Sequence, residues 1–331
     1  MAEKRIIPFG ILESMAFGQG LADVGVRPAA PLAEDHERFT AWIRRGFHGE
    51  MSHLERHAAR RLDVRDLLQG AKSVVSVVLR YPAFKGQNDS NRPRRSEATV
   101  WDAVASYARG VDYHRLLRSR LRGLISRIRA LRPDVNARAL VDTAPILEKA
   151  WAARTGLGVI GWNTCLIHPV FGSAVVLGEI LLDLEVAQDA KSIPAAPDPC
   201  VACNGFCVSA CPTNALVAPR ILDARRCLSY ILGESKSEIP SGLGSKIQGR
   251  LFGCDRCQEV CPRNRDLPPL REPWPDEPAL RWKTVRLQDA AGLSDRDLLE
   301  LFEKTPLDRL TVSQLRRNLD AAMGEFDPSI S

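Results

Sequence analysis

Eight of the chain's nine cysteines fall between residues 200 and 261, and no other feature constrains the fold as tightly. The first group is Cys200-x2-Cys203-x3-Cys207-x3-Cys211-Pro212. The second is Cys254-x2-Cys257-x3-Cys261-Pro262, with Cys227 between the two. A C-x2-C turn lets two thiolates reach neighbouring irons of one cubane, and in two-cluster ferredoxins the more distant cysteine before a proline crosses to the other cluster. On that logic Cys200, Cys203, Cys207 and Cys261 hold one 4Fe–4S cluster, and Cys211, Cys227, Cys254 and Cys257 hold the other. One spacing departs from the bacterial ferredoxin run: Asn204, Gly205 and Phe206 make a three-residue gap. Gly205 is expected to absorb the extra residue in a wider turn. Zinc also takes C-x2-C pairs, but the Cys-Pro endings and the lack of histidine from 200 to 261 favour iron–sulfur. The ninth cysteine, Cys165, sits in an apolar stretch and reads as a small buried hydrophobe.

Two low-potential clusters side by side form an electron relay. A simple carrier needs no long preceding domain, so the N-terminal half is expected to hold an electron acceptor. The chain has 331 residues, 45% hydrophobic and 26% charged, which suits two compact units or one large domain with an insert. No apolar run reaches eighteen residues, so no membrane span is expected. The opening MAEKRIIPFG lacks the apolar stretch of a secretory signal. These features predict a cytoplasmic protein, in which reduced thiols bind metal rather than pair as disulfides.

The net charge of +6 permits a nucleic-acid partner without implying one. Arginine is dense at Arg92, Arg94 and Arg95, and again at Arg115, Arg118, Arg120, Arg122, Arg127 and Arg129. The second run lies on a predicted helix from about 101 to 131 and reads either as a solvated face or as a phosphate-facing stripe. Residues 37–60 are expected to form an amphipathic helix, 73–79 a buried strand, 82–100 a loop, and Ala137 to Val141 a strand. Pro145 can open a helix that Gly156 closes. GLGVIGWNTCLI and FGSAVVLGEILLDLEV read as strand–turn–strand material. Helical patterns follow near 287–303 and 311–323. The predicted architecture is an α/β (α+β) layered domain over residues 1–187, a ferredoxin-like double-cluster domain over 188–267, and a short helical C-terminal tail over 268–331.

The ordered stretches GEMSHLERHAARRLDVRDLLQGAKSVVSV, YARGVDYHRLLRSRL, VDTAPILEKAWAARTGLGVIGWNT, FGSAVVLGEI, CPTNALVAPRILDARRCLSYI and GRLFGCDRCQEVCPRN resemble the epoxyqueuosine reductase family, cobalamin-dependent iron–sulfur enzymes of queuosine synthesis in tRNA. The resemblance spans about residues 49 to 264. It implies that the first domain binds a corrinoid, that cob(II)alamin is reduced through the two clusters by an external low-potential electron donor, and that the substrate is tRNA carrying epoxyqueuosine at the wobble position. A monomer is expected. The family's proton donor is the aspartate of its V-D-T-x-P motif, here Asp142, whose pKa burial beside a corrin face should raise. Cobalamin contacts carried over by motif are Arg61, Ala105, Asp142, Leu166, Leu177, Ser229 and Asp255. Trp162 stands where the family has lysine and could stack on a base or on the corrin. Arg316, Arg317 and Asn318 in the tail are suited to phosphate contacts. Rival readings are a dehalogenase-like corrinoid reductase, an electron carrier without cobalamin, and a zinc-bearing RNA-binding protein.

Overall fold

The computed structural model describes residues 6–82, 97–187, 198–247 and 249–324. The cluster Arg92, Arg94 and Arg95, and most of the proline-rich stretch before Cys200, lie outside them. The first half builds, in order, β1 (Ile6–Pro8), α1 (Phe9–Phe17), β2 (Asp23–Pro28), α2 (Ala33–Arg44), α3 (Ser52–Arg56), β3 (Ser73–Arg80), α4 (Val100–Ala103), α5 (Tyr113–Leu131), β4 (Ala137–Leu140), α6 (Glu148–Arg154), β5 (Val159–Ile160), β6 (Leu166–Ile167), β7 (Val175–Leu182) and β8 (Glu185–Ala187). Four strands pair in the order β2-β3-β7-β4, every pair antiparallel. The layered expectation therefore holds in its α+β form. The rule that places ligands at strand ends of open parallel sheets does not apply to Asp142, although Asp142 does follow β4 directly.

β3 is buried along its whole length, as its Val-rich run demands, because helices cover both faces of the sheet. On one face Val75, Val77, Ile180 and Leu182 pack with Leu117, Leu121 and Leu124 of α5. On the other, Val74 and Leu181 pack with Ala150 and Trp151 of α6. Gly25 of β2 makes this second layer close: a Cβ there would run into the Thr155 carbonyl oxygen.

Three helix predictions need adjustment. The expected helix at 37–60 is two helices, α2 and α3, parted by turns at residues 45–51 that pass through left-handed Gly46 and Gly49. The arginine-rich helix begins at Tyr113, where the Asp112 side chain accepts from the His114 N–H as its N-cap. The helix expected from Pro145 starts three residues later, at Glu148, and left-handed Gly156 follows its end.

The cysteine region carries α7 (Phe206–Ser209), β9 (Leu216–Ala218), β10 (Ile221–Leu222), α8 (Leu228–Gly233), α9 (Gly244–Ile247) and α10 (Arg256–Glu259). The last segment adds α11 (Leu287–Ala291), α12 (Asp295–Phe302), a 3-10 turn at Pro306–Arg309 and α13 (Val312–Met323), which opens on a Thr311/Gln314 capping box. It is not a loose tail. Trp282, Phe302, Leu307 and Leu315 share one core with Val100, Ala103 and Ala108 from the first half and with Leu251 and Phe252 beside Cys254.

Candidate active site

Asp142 lies on the turn that leaves β4, with φ +30°. A positive φ is uncommon for a non-glycine residue and needs support from its surroundings. Two side chains provide it. The Glu148 carboxylate, in the first turn of α6, accepts from the Asp142 backbone N–H. His114 of α5 approaches the Asp142 carboxylate, Nε2 to Oδ2 3.0 Å, while its Nδ1 lies 2.7 Å from Asp112 Oδ1. With a carboxylate at each ring nitrogen, the imidazolium form satisfies both contacts as donor. Burial alone would lower the His114 pKa, but hydrogen bonds to Asp112 and Asp142 push it up to about 9.

The Asp142 side chain is 48% exposed. Burial works to raise its pKa, but the hydrogen bond and charge of His114, with further help from Arg309 and His53, hold it below the ordinary carboxylate value. The expected rise belongs to burial beside a corrin face; among the protein groups alone, His114 favours the carboxylate form of Asp142. Glu148 goes the other way. Burial and the nearby Asp142 charge push it up to about 8.

Four of these neighbours were missed from sequence. His114 and Asp112 stand in the YARGVDYH stretch, two residues apart across a helix start, which was a readable capping signal. Glu148 looked like an ordinary first-turn acid. Arg309 had no local signal: it comes from the last segment, pairs with Glu234 at 2.8 Å and lies 5.7 Å from the Phe252 ring centre. Of the arginine stripe, Arg118 reaches Thr143 Oγ1 at 2.9 Å beside Asp142. Arg120 turns inward to the Gln19 and Gly20 carbonyls and to Glu272.

The residues carried over as cobalamin contacts fall into small groups. Arg61 is 7% exposed, feels the charges of Glu148 and Asp142, and lies 5.5 Å from the Phe39 ring centre; its Nη1 is buried and has no hydrogen-bond partner among the described residues. Ala105 and Asp255 line one cavity of about 20 Å³. Asp255 Oδ2 accepts from the Ser106 N–H at 2.6 Å. Leu166 is buried, and Leu177 packs against the same apolar cluster. Ser229 follows Cys227, and its backbone N–H, with that of Tyr230, faces the Cys227 sulfur.

Burial pushes the Cys207 thiol up to about 11, with the charges of Cys200, Cys261 and Cys203 adding to it. Burial does the same to Cys227, where Cys254 and Cys211 add theirs. Cys257, raised by burial, feels Cys165, Cys254, Cys227 and Cys207. The Trp162 N–H donates to Cys200 Sγ at 3.4 Å and the Ala215 N–H to Cys211 Sγ at 3.2 Å. Among the described residues no group of three or more His, Cys, Asp or Glu side chains converges on a single-ion site. The three-residue gap is taken up as anticipated: Asn204 and Gly205 are both left-handed, at φ +49° and +69°.

Trp162 is half-buried and packs on the cysteine loop, where a Cβ on Gly205 would come within 2.6 Å of its ring. One expected role is corrected. The tail residues are structural. Asn318 is fully buried, and its Nδ2 donates to the Leu232 and Leu251 carbonyls at 2.8 and 3.1 Å. Arg317 donates to the carbonyls of Ile231, Ser235 and Ser237. Arg316 donates to those of Ala291 and Leu293 and to Asp295.

Comparison with known proteins places this geometry. Residues 61–143 match the family described as epoxyqueuosine reductase QueG, DUF1730, and residues 199–264 match a 4Fe-4S double cluster binding domain. An epoxyqueuosine reductase of Gloeobacter violaceus is 38% identical, with 97% of each chain covered. One from Cellulophaga algicola is 35% identical over 94% of this chain and 96% of its own. The chain belongs to the epoxyqueuosine reductase family. Solved structures agree. An epoxyqueuosine reductase with a tRNA-Tyr epoxyqueuosine-modified tRNA stem loop superposes with a TM-score of 0.80 at 29% identity, covering 97% of this chain and 82% of that one. A Bacillus subtilis epoxyqueuosine reductase with its catalytic aspartate loop swung out of the active site matches equally well, with the same TM-score, identity and coverage. Among the described residues no helix is long and apolar enough to cross a membrane.

Proposed function

We propose that this chain reduces epoxyqueuosine to queuosine at the wobble position of tRNA, with cobalamin and two 4Fe–4S clusters as cofactors and electrons from an external low-potential donor. The observation that carries the reading is the Asp142 carboxylate, half-exposed at the end of β4 and paired with His114, inside the segment that matches the family. The solved relative bearing a modified tRNA stem loop supports the substrate. A splayed anticodon-loop base suits a pocket site, with arginines holding the backbone. Arg115 and Arg118, exposed on the first turns of α5 beside Asp142, suit that second task.

The residues present fit a corrinoid. The buried Arg61 Nη1, without a partner among the described residues, is a donor that an amide or phosphate oxygen of the cofactor would satisfy. Leu166 and Leu177 would contact it through their backbone, and Ala105, Ser229 and Asp255 supply backbone and polar contacts near Cys227 and Cys254. Cobalamin, when bound, supplies a strongly nucleophilic cobalt for opening the epoxide. The chain's own part is to hold the base, keep out water and deliver a proton. His114 Nε2 stores that proton against Asp142 Oδ2, and Asp142 passes it to the departing oxygen. The clusters are held by Cys200, Cys203, Cys207 and Cys261, and by Cys211, Cys227, Cys254 and Cys257. Backbone N–H groups at Cys200 and Cys211 stabilise the anionic sulfurs and tune their potentials.

The test is anaerobic turnover of reconstituted protein with epoxyqueuosine-bearing tRNA, followed by nucleoside mass spectrometry. Loss of one oxygen from the base, dependent on cobalamin, is expected. An intact base in the presence of both clusters and cobalamin would overturn the substrate assignment and move the search to another reducible compound.

A further inference from the structure

Removing the epoxide oxygen as water consumes two electrons and two protons: one C–O bond breaks on opening, the second as the double bond forms, and the oxygen leaves carrying both protons. The His114–Asp142 pair holds one of those protons. Behind it lies a second acidic group that this mechanism leaves unused. Glu179, in the middle of β7, is 0% exposed, and among the described residues neither carboxyl oxygen has a hydrogen-bond partner. In register beside it on β3 is Ser76, also 0% exposed, its hydroxyl equally unpartnered. On β4 its register partner is Leu140, two residues before Asp142. Glu179 lies between Leu177 and Leu181, on the sheet face that α6 covers, and Glu148 stands in the first turn of α6 with its carboxyl on the Asp142 N–H.

An ionised carboxylate without donors in such a place is too costly to keep, and two carboxyls within each other's field do not both ionise at neutral pH. We propose that Glu148 and Glu179 form a buried proton store, and that Glu148 delivers the second proton of the reaction by reprotonating Asp142. The inference rests on Asp142 being the donor to the departing oxygen. In sequence, His114 passes its proton through Asp142 to the opened oxygen, which leaves Asp142 a carboxylate and His114 neutral. Glu148 then gives its proton to Asp142, which protonates the oxygen again as it leaves as water. Solvent refills Glu148 and His114 between turnovers, and the two electrons come from the clusters.

The groups around the path favour this direction. Asp142 faces His114 of the α5 start, whose other ring nitrogen meets Asp112, together with His53 of α3, Glu148 of α6, Arg61 and Arg309 of the last segment. Glu148 faces Asp142, Lys149 and His114, with Arg61 alongside. Burial and the Glu148 charge both raise Glu179 well above the ordinary value, so it remains protonated when Glu148 gives up its proton.

Glu148→Gln separates storage from scaffolding, because the amide oxygen still accepts from the Asp142 N–H but carries no transferable proton. Infrared difference spectroscopy on the full chain at pH 7 is expected to show protonated-carboxyl stretches. One should be lost in Glu148→Gln and should titrate near pH 8 in the parent; another should be lost in Glu179→Gln and persist to higher pH. Turnover of the reconstituted Glu148→Gln enzyme should fall roughly 100-fold, with KM for the tRNA unchanged. If neither variant loses a protonated-carboxyl band, or if Glu148→Gln turns over at the parent rate while Asp142→Asn is inactive, the store is refuted. An active Asp142→Asn enzyme would instead remove Asp142 from the mechanism, and the infrared result would still decide whether the store exists. Should Glu179→Gln fail to fold, the Glu148→Gln band and turnover decide the question alone.

Discussion

Asn318→Leu separates a structural tail from a tRNA-gripping one. The asparagine amide ties the Leu232 carbonyl, five residues after Cys227, to the Leu251 carbonyl, three residues before Cys254, and its Oδ1 accepts from Arg317 Nε and Nη2 at 3.1 and 2.9 Å. Leucine is close in volume, so the loss is polar rather than steric. Two neutral hydrogen bonds contribute about 1 kcal/mol each, a buried carbonyl left bare costs about 1–3 kcal/mol, and hydrogen bonds from a charged donor contribute about 1.5–3 kcal/mol. Partial rearrangement of Arg317 toward its three backbone acceptors recovers some of this, leaving a destabilisation of about 3–5 kcal/mol. Anaerobic thermal unfolding of the cluster-loaded chain, followed by cluster absorbance and by far-ultraviolet circular dichroism, should show a midpoint lower by on the order of 10 °C. Iron should be lost early, because Cys227 and Cys254 are no longer held in register. The affinity of the folded chain for tRNA should not change. A midpoint within about 2 °C of the parent, together with weakened tRNA binding, would refute the structural role and restore the phosphate-contact reading.

Gly205→Ala should destabilise by about 2 kcal/mol or more, from a left-handed backbone plus overpacking against Trp162. The overpacking part should vanish in a Trp162→Ala background, as a double-mutant cycle on unfolding would read. Stability should fall with rising pH. Glu148, raised to about 8, loses its contribution as pH climbs from its ordinary value of 4.5 through 8, and His114, raised to about 9, loses its own as pH climbs from 6.5 through 9. Glu148→Gln should flatten the lower part of that slope in unfolding midpoints taken across the range. Asp142→Asn should bind tRNA and cobalamin normally and give no deoxygenated nucleoside; parent-level turnover would contradict its role. Cys254→Ala should lower iron content by roughly half, and unchanged iron would contradict the ligand assignment.

The parts of this molecule that depend on short sequence spacing were readable in advance. The two cysteine groups, the Val-rich β3, the Gly156 stop after α6 and the widened turn at Gly205 follow from residues within a few positions of one another. What was missed depends on distant pairings. The strand order and antiparallel sense of the sheet are set by which strands meet across about 40 to 110 residues, and helix–strand alternation does not encode that. The surroundings of Asp142 mix one nearby signal, the Asp112–His114 cap, with Arg309 from far along the chain. Asn318 and Arg317 illustrate the same limit from the other side. A basic, polar tripeptide looks like a surface contact until carbonyls from residues 231–251 close around it.

The shared core of the last segment bears on how the chain comes to life on the ribosome. Val100, Ala103 and Ala108 are buried beside Trp282, Phe302 and Leu315, and Arg309 completes the charge around Asp142. A nascent chain emerges from its N-terminus, so the four-stranded sheet can assemble while that apolar face of the α4 region still waits for residues almost 200 positions downstream. Until they arrive, the half-built protein exposes a sticky surface of the sort that chaperones cover. A frameshift or protease cut near residue 300 would therefore act as both a solubility defect and an active-site lesion, although no residue of the reaction centre before it had changed.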